Sequence, residues 1–188
     1  MERHSDIIDQ VFRPVYGLPC WNVQPGIGSF LTMEFGQPHL VVHEPHKSRT
    51  RSSRSKKPSM RRLVYPHGDW HLWIYCCEWH LYTGKELIGD SALKSTSKRR
   101  IIRAAQELGG QKLIQVSVDP RRGRSVFHFD LGSRLETRPY DLDSEQWMFY
   151  DAKDYVLTYR ADGLYQHQPS NVPREDDDWQ QFATGRKI

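Results

Sequence analysis

Cysteine is scarce, with three residues in 188, and an odd count of three cannot form a disulfide framework. That usage fits a reducing compartment. Long apolar runs are missing too: no stretch approaches the roughly 18 residues a membrane helix needs, so no membrane partner is expected. The opening Met-Glu-Arg-His is polar and lacks a signal-peptide core, which points to a cytoplasmic location. No G-x-S-x-G, Walker loop, G-x-G-x-x-G or H-E-x-x-H occurs, which excludes the better-marked enzyme classes. No cofactor is expected, and the balance favours a protein that is not an enzyme. What remains is a 22.1 kDa chain, 37% hydrophobic and 12% aromatic, large enough for one ordinary domain.

The formal charge of +4 is unevenly distributed. Lys47, Arg49, Arg51, Arg54, Lys56, Lys57, Arg61 and Arg62 fall within 16 residues that contain no acid. Without those eight, 19 of the 27 basic residues remain against 23 acidic ones, so the rest of the chain is mildly acidic. The segment 47–62 also holds five serines and one proline, and such a composition cannot offset its ordering entropy by burial. It is expected to be a mobile insertion.

Self-similarity organises the remainder. The stretch from Gly28 to Gly36 (GSFLTMEFG) aligns without a gap on Arg124 to Gly132 (RSVFHFDLG). Trp70-His71-Leu72-Trp73 resembles Trp147-Met148-Phe149-Tyr150, and Trp79-His80-Leu81 resembles Tyr155-Val156-Leu157. The predicted fold class is α+β: a curved antiparallel sheet built from two repeated β-meanders (about 28–83 and 124–160) with one central helix packed on it. The run from Trp70 to Tyr82 should bend near Cys76-Cys77-Glu78. The helix begins after Ser95–Ser97, carries Ile101, Ile102, Ala105 and Leu108 as its stripe, and stops at Gly109-Gly110. A weaker helix covers Ser5–Phe12. Residues 1–168 form the domain, and 169–188 form an acidic, partly flexible tail.

Three functional readings follow. The first is a non-enzymatic bacterial binding module, immunity-like in role, that holds a protein partner or a second copy of itself. Its interface would be an aromatic sheet face of Trp70, Trp73, Tyr75 and Trp79, since tryptophan and tyrosine dominate interface hot spots. The second is nucleic-acid binding by the eight cations of segment 47–62 with Lys98 and Arg99 at the helix N-terminus, where cations oppose the macrodipole and favour an anionic partner. The third is a metal-dependent hydrolase using the histidine-rich region with Glu34 or Asp130. Six of nine histidines lie between His39 and His80. His39, His43, His67 and His71 are the candidate ligands, but strand residues four apart are roughly 13 Å from each other, which argues against one shared ion. Glu34 and Asp130 occupy matching strand ends, where an acid serves most simply as a hydrogen-bond acceptor. Vicinal Cys76-Cys77 reads as small side chains at a bend rather than as a nucleophile.

Taken together, GSFLTxEFG, the Asp69–Tyr75 stretch, Phe129-Asp130-Leu131-Gly132 and Leu157-Thr158-Tyr159-Arg160-Ala161-Asp162-Gly163 resemble a family of uncharacterised bacterial proteins over about residues 19–168. The resemblance implies no reaction and no catalytic residue. Segment 47–62 is where this chain is expected to depart from such relatives.

Overall fold

Alternation of apolar and polar side chains is the dominant local pattern, and the chain realises it almost entirely as antiparallel strands. A computed structural model describes residues 7–45, 61–91, 98–173 and 178–182. Helix α1 (Ile7–Phe12) runs into a 3-10 turn (Arg13–Val15), and helix α2 spans Lys98–Leu108. Before α2 come β1 (Trp21–Pro25), β2 (Leu31–Phe35), β3 (His39–His43), β4 (Leu63–His67), β5 (Trp70–Ile74), β6 (Cys77–Thr83) and β7 (Glu86–Asp90). After it come β8 (Leu113–Asp119), β9 (Arg124–Phe129), β10 (Ser133–Pro139), β11 (Glu145–Tyr150), β12 (Tyr155–Arg160), β13 (Leu164–Pro169) and β14 (Gln180–Gln181).

The α+β class holds, but the strands divide between two main sheets instead of forming one continuous sheet. The larger runs β1-β2-β5-β11-β12-β13-β14, the smaller β7-β6-β10-β9-β8, and β3-β4 stands apart as a two-stranded ribbon. The physical reason is the bend in the Trp70–Tyr82 run. Cys76 adopts a φ of 50°, and there the chain leaves the larger sheet after β5 and enters the smaller as β6. A second crossing joins β10 to β11, and the two are tied by Tyr75 N–H donating to the Gln146 carbonyl at 2.9 Å.

One core lies between the sheets. Leu31, Met33, Phe35, Leu72, Ile74, Phe149 and Leu157 enter it from the larger sheet, and Trp79, Leu81, Phe127, Phe129 and Leu135 from the smaller. Trp79 Nε1–H donates to the Ser29 carbonyl and Trp147 Nε1–H to Ser125 Oγ, both at 2.9 Å, so each buried indole has a partner. Phe12 of α1 is fully buried and stacks on Phe149 at 4.2 Å. Removing a ring of this kind costs about 3–5 kcal/mol.

Helix α2 packs against β7 and β1, an edge strand of each sheet, and so closes one open side of the sandwich. Its buried stripe is Ala104, Ala105 and Leu108 with Ile101 half-buried; Ile102, expected inward, is 39% exposed. The small residues are required because a Cβ on Gly89 would meet Ala104 Cβ at 2.8 Å. The helix ends as expected, with Gly110 at a φ of 89°. The last described residues rejoin the domain: β14 pairs with β13, and Phe182 packs on Tyr159 and Tyr165.

Candidate metal centre

The outward face of the larger sheet is set by register. Glu34 on β2 faces His71 on β5, which faces Tyr150 on β11. Because Met33, Phe35, Leu72 and Phe149 point inward, the intervening Glu34, His71 and Tyr150 share the outer side. The ribbon folds beside them. On it His39 pairs with His67, and Gly68-Asp69 leads from His67 straight into β5.

Gly68 passes so close over the end of β2 that any Cβ would collide with the Phe35 carbonyl. That approach brings Gly68 N–H to Glu34 Oε2 at 3.0 Å and seats His67 above the carboxylate. Glu34 is only 3% exposed. Its Oε1 lies 2.7 Å from His71 Nδ1 and 3.7 Å from His67 Nδ1, and the two imidazoles are 5.5 Å apart. One donor atom from each of Glu34, His67 and His71 falls within 4.8 Å of the others. Ligands about 2.1 Å from a tetrahedral ion sit about 3.4 Å apart, a spacing these distances bracket.

Both histidines open onto a cavity of about 430 Å³ whose walls include His39, Asp69, Trp73, Tyr150, Asp151 and Asp154. The electrostatics favour coordination. Burial lowers the pKa of His67, Glu34 opposes the shift, and His71, His39 and His43 add to it. His67 is therefore a neutral imidazole at neutral pH, the form that binds a metal. A carboxylate and two imidazoles leave coordination positions open to the cavity, as in catalytic zinc sites.

The other site candidates are placed as follows. The objection drawn from spacing along a strand does not apply, because the three donors converge across strands from β2, β4 and β5. His39 lines the cavity but stands outside the triad, and His43 packs on Tyr65 instead, with ring centroids 5.8 Å apart. Glu34 joins the triad, while Asp130 is exposed and accepts Lys112 N–H at 2.8 Å. The aromatic set splits. Trp70 packs against the core and Trp79 is 1% exposed within it, because the crossing at Cys76 turns β6 inward. Trp73 and Tyr75 lie on the outer face, packed with Phe30, Met148 and Tyr150 in a smaller cluster. The four therefore do not form one accessible surface.

Lys47, Arg49, Arg51, Arg54, Lys56 and Lys57 lie outside the described residues. Arg61 and Arg62 are exposed, and Arg62 forms a bidentate pair with Glu44, Nε–H donating to Oε1 at 2.9 Å and Nη2–H to Oε2 at 2.8 Å. Arg99 is exposed on α2, where Lys98 begins the helix. Burial pushes the Cys20 thiol up to about 12 and raises Cys77 and Cys76 as well, which suppresses thiolate chemistry. No helix among the described residues is long and apolar enough to cross a membrane.

Reading the sequence alone missed Asp69, Tyr150, Asp151 and Asp154 as cavity walls. The register joining His71 to Glu34 is not written in the alternation of either strand. The chain matches no family model, no curated protein and no solved structure.

Proposed function

We propose that the protein is a metal-dependent hydrolase whose centre is Glu34, His67 and His71, with a divalent first-row ion, zinc in the first instance, between them. The observation that carries this reading is the convergence of the three donors, two of which, His67 and His71, line a 430 Å³ cavity. A buried, satisfied Glu34–His71 pair would account for one hydrogen bond. It does not account for the second imidazole held 3.7 Å from the same oxygen, nor for the open space in front of both. An ion there supplies a polarised water as nucleophile, while the chain fixes its ligands and walls off the reacting group. A cytoplasmic setting with reduced thiols belongs to the same reading.

The test is titration of metal-free protein with Zn²⁺, and with Co²⁺ read by its visible absorption. Stoichiometric binding is expected, with tetrahedral or five-coordinate Co²⁺ bands that disappear in His67→Ala and Glu34→Gln and persist in His43→Ala. Hydrolysis of a panel of chromogenic esters and anilides should depend on the added metal. Equal metal binding by the wild type and the two triad variants would overturn the proposal.

The binding-module reading keeps one specific observation. Val42 and Val64 face each other on the ribbon beside the Leu40–Pro66 pair, and Leu40, Val42 and Val64 are 71%, 48% and 49% exposed. Val42→Asp together with Val64→Asp should abolish any partner or self-association that uses this face; a monomer unaffected by the change removes the idea.

Internal duplication is part of the proposal as well. It is supported by the matched stretches ending in Gly36 and Gly132, at φ of 79° and 88°. β2 and β9 belong to different sheets, whereas the matched β5 and β11 pair within one sheet, so no one rigid operation relates the copies as they stand.

A further inference from the structure

We infer that the ligand taken by this cavity is a small molecule carrying a positive charge, an amine or guanidine whose carbonyl or similar oxygen reaches the metal; this rests on the metal reading above. Among the described residues the walls carry three carboxylates, Asp69, Asp151 and Asp154, and no lysine or arginine. A divalent ion and the Glu34 carboxylate together leave one positive charge, so the loaded cavity is still negative overall. An anionic substrate would be repelled there, and a cationic one drawn in.

Two of the three carboxylates are held in place. Asp69 Oδ2 accepts Gln37 N–H at 2.8 Å, and Asp151 Oδ1 accepts Lys153 and Tyr155 N–H at 2.8 and 2.9 Å. Each keeps its second oxygen without a hydrogen-bond partner among the described residues. The same walls include half-buried Trp73 and Tyr150, whose rings are surfaces on which an ammonium or guanidinium rests favourably once partly dehydrated. The metal ligands and the acidic, aromatic walls thus present two different complementarities within one cavity. A ligand that satisfies both carries an oxygen donor and a cation. The volume admits a small ligand, at the lower end of the size range of ordinary binding pockets.

The experiment uses zinc-loaded full-length protein and three hydroxamates of matched length, ending in methyl, ammonium or carboxylate. The methyl compound reports metal access alone. The ammonium compound should bind roughly tenfold more tightly than the methyl one, and the carboxylate compound more weakly than both. In Asp154→Asn, whose φ of 61° asparagine tolerates, and in Asp69→Asn, the ratio of ammonium to methyl affinity should fall toward one. Equal affinity for all three compounds, or preference for the carboxylate, overturns the inference while leaving the metal reading intact. Failure of the protein to take up zinc overturns both.

Discussion

Two strand ends, alike in sequence, have been put to different use. Glu34 and Asp130 each lie two residues before a glycine of positive φ, and each accepts a backbone N–H from a neighbouring segment: Gly68 at 3.0 Å and Lys112 at 2.8 Å. There the similarity ends. Asp130 is exposed and its visible role is that of a cap. Glu34 is one methylene longer, buried, and shares its other oxygen with His71 beneath His67. Neither the acid nor the glycine creates the site. What does is the ribbon, which returns to the sheet through His67-Gly68 and roofs one carboxylate but not the other.

The comparison is broken most sharply by neutralising each acid. Glu34→Gln should weaken Zn²⁺ binding by roughly 100-fold or more, whereas Asp130→Asn should leave it unchanged in the same calorimetric titration. Next in size is the roof itself. Gly68→Ala must displace the chain from the Phe35 carbonyl and should cost roughly tenfold in metal affinity. Gly132→Ala has free space around it and a strained φ, so it should lower stability by about 1 kcal/mol without touching the metal.

A smaller effect concerns pH. Burial depresses the pKa of His67, His80, His128 and His167. The unfolded chain therefore takes up these protons first as pH falls. Stability of the metal-free protein should be full above the ordinary histidine pKa of about 6.5 and decline below it, with metal affinity lost as His67 protonates. Urea midpoints measured from pH 8 to pH 5 check the sign, and a midpoint that rises on acidification contradicts it. The smallest effect belongs to the exposed cap: Asp130→Ala should cost about 0.5 kcal/mol, read from the same urea curves.

The local grammar of the chain was legible in its sequence. The stop at Gly109-Gly110 and the break at Cys76 follow from turn chemistry and period-two alternation. The partition into two sheets was not legible, because alternation specifies which side of a strand is apolar and not which strand lies beside it. That is also why the centre escaped. His67-x3-His71 lies on two different elements, and Glu34 reaches them only through the β2–β5 register, a contact fixed by tertiary packing. The aromatic residues misled for the same reason: Trp73 and Trp79 are six residues apart in sequence but on opposite sides of a crossing.

The β3–β4 ribbon borders neither main sheet, and its five cross-strand pairs close upon themselves. The span from His43 to Leu63 therefore begins and ends on strands already fastened together, so its length barely concerns the sandwich. Doubling such a span adds only about 0.6 kcal/mol of closure entropy. That makes it a port where extra sequence can be grafted or trimmed, by evolution or by an engineer, with the imidazoles at the ribbon's foot as built-in reporters of whether the graft has disturbed the hinge.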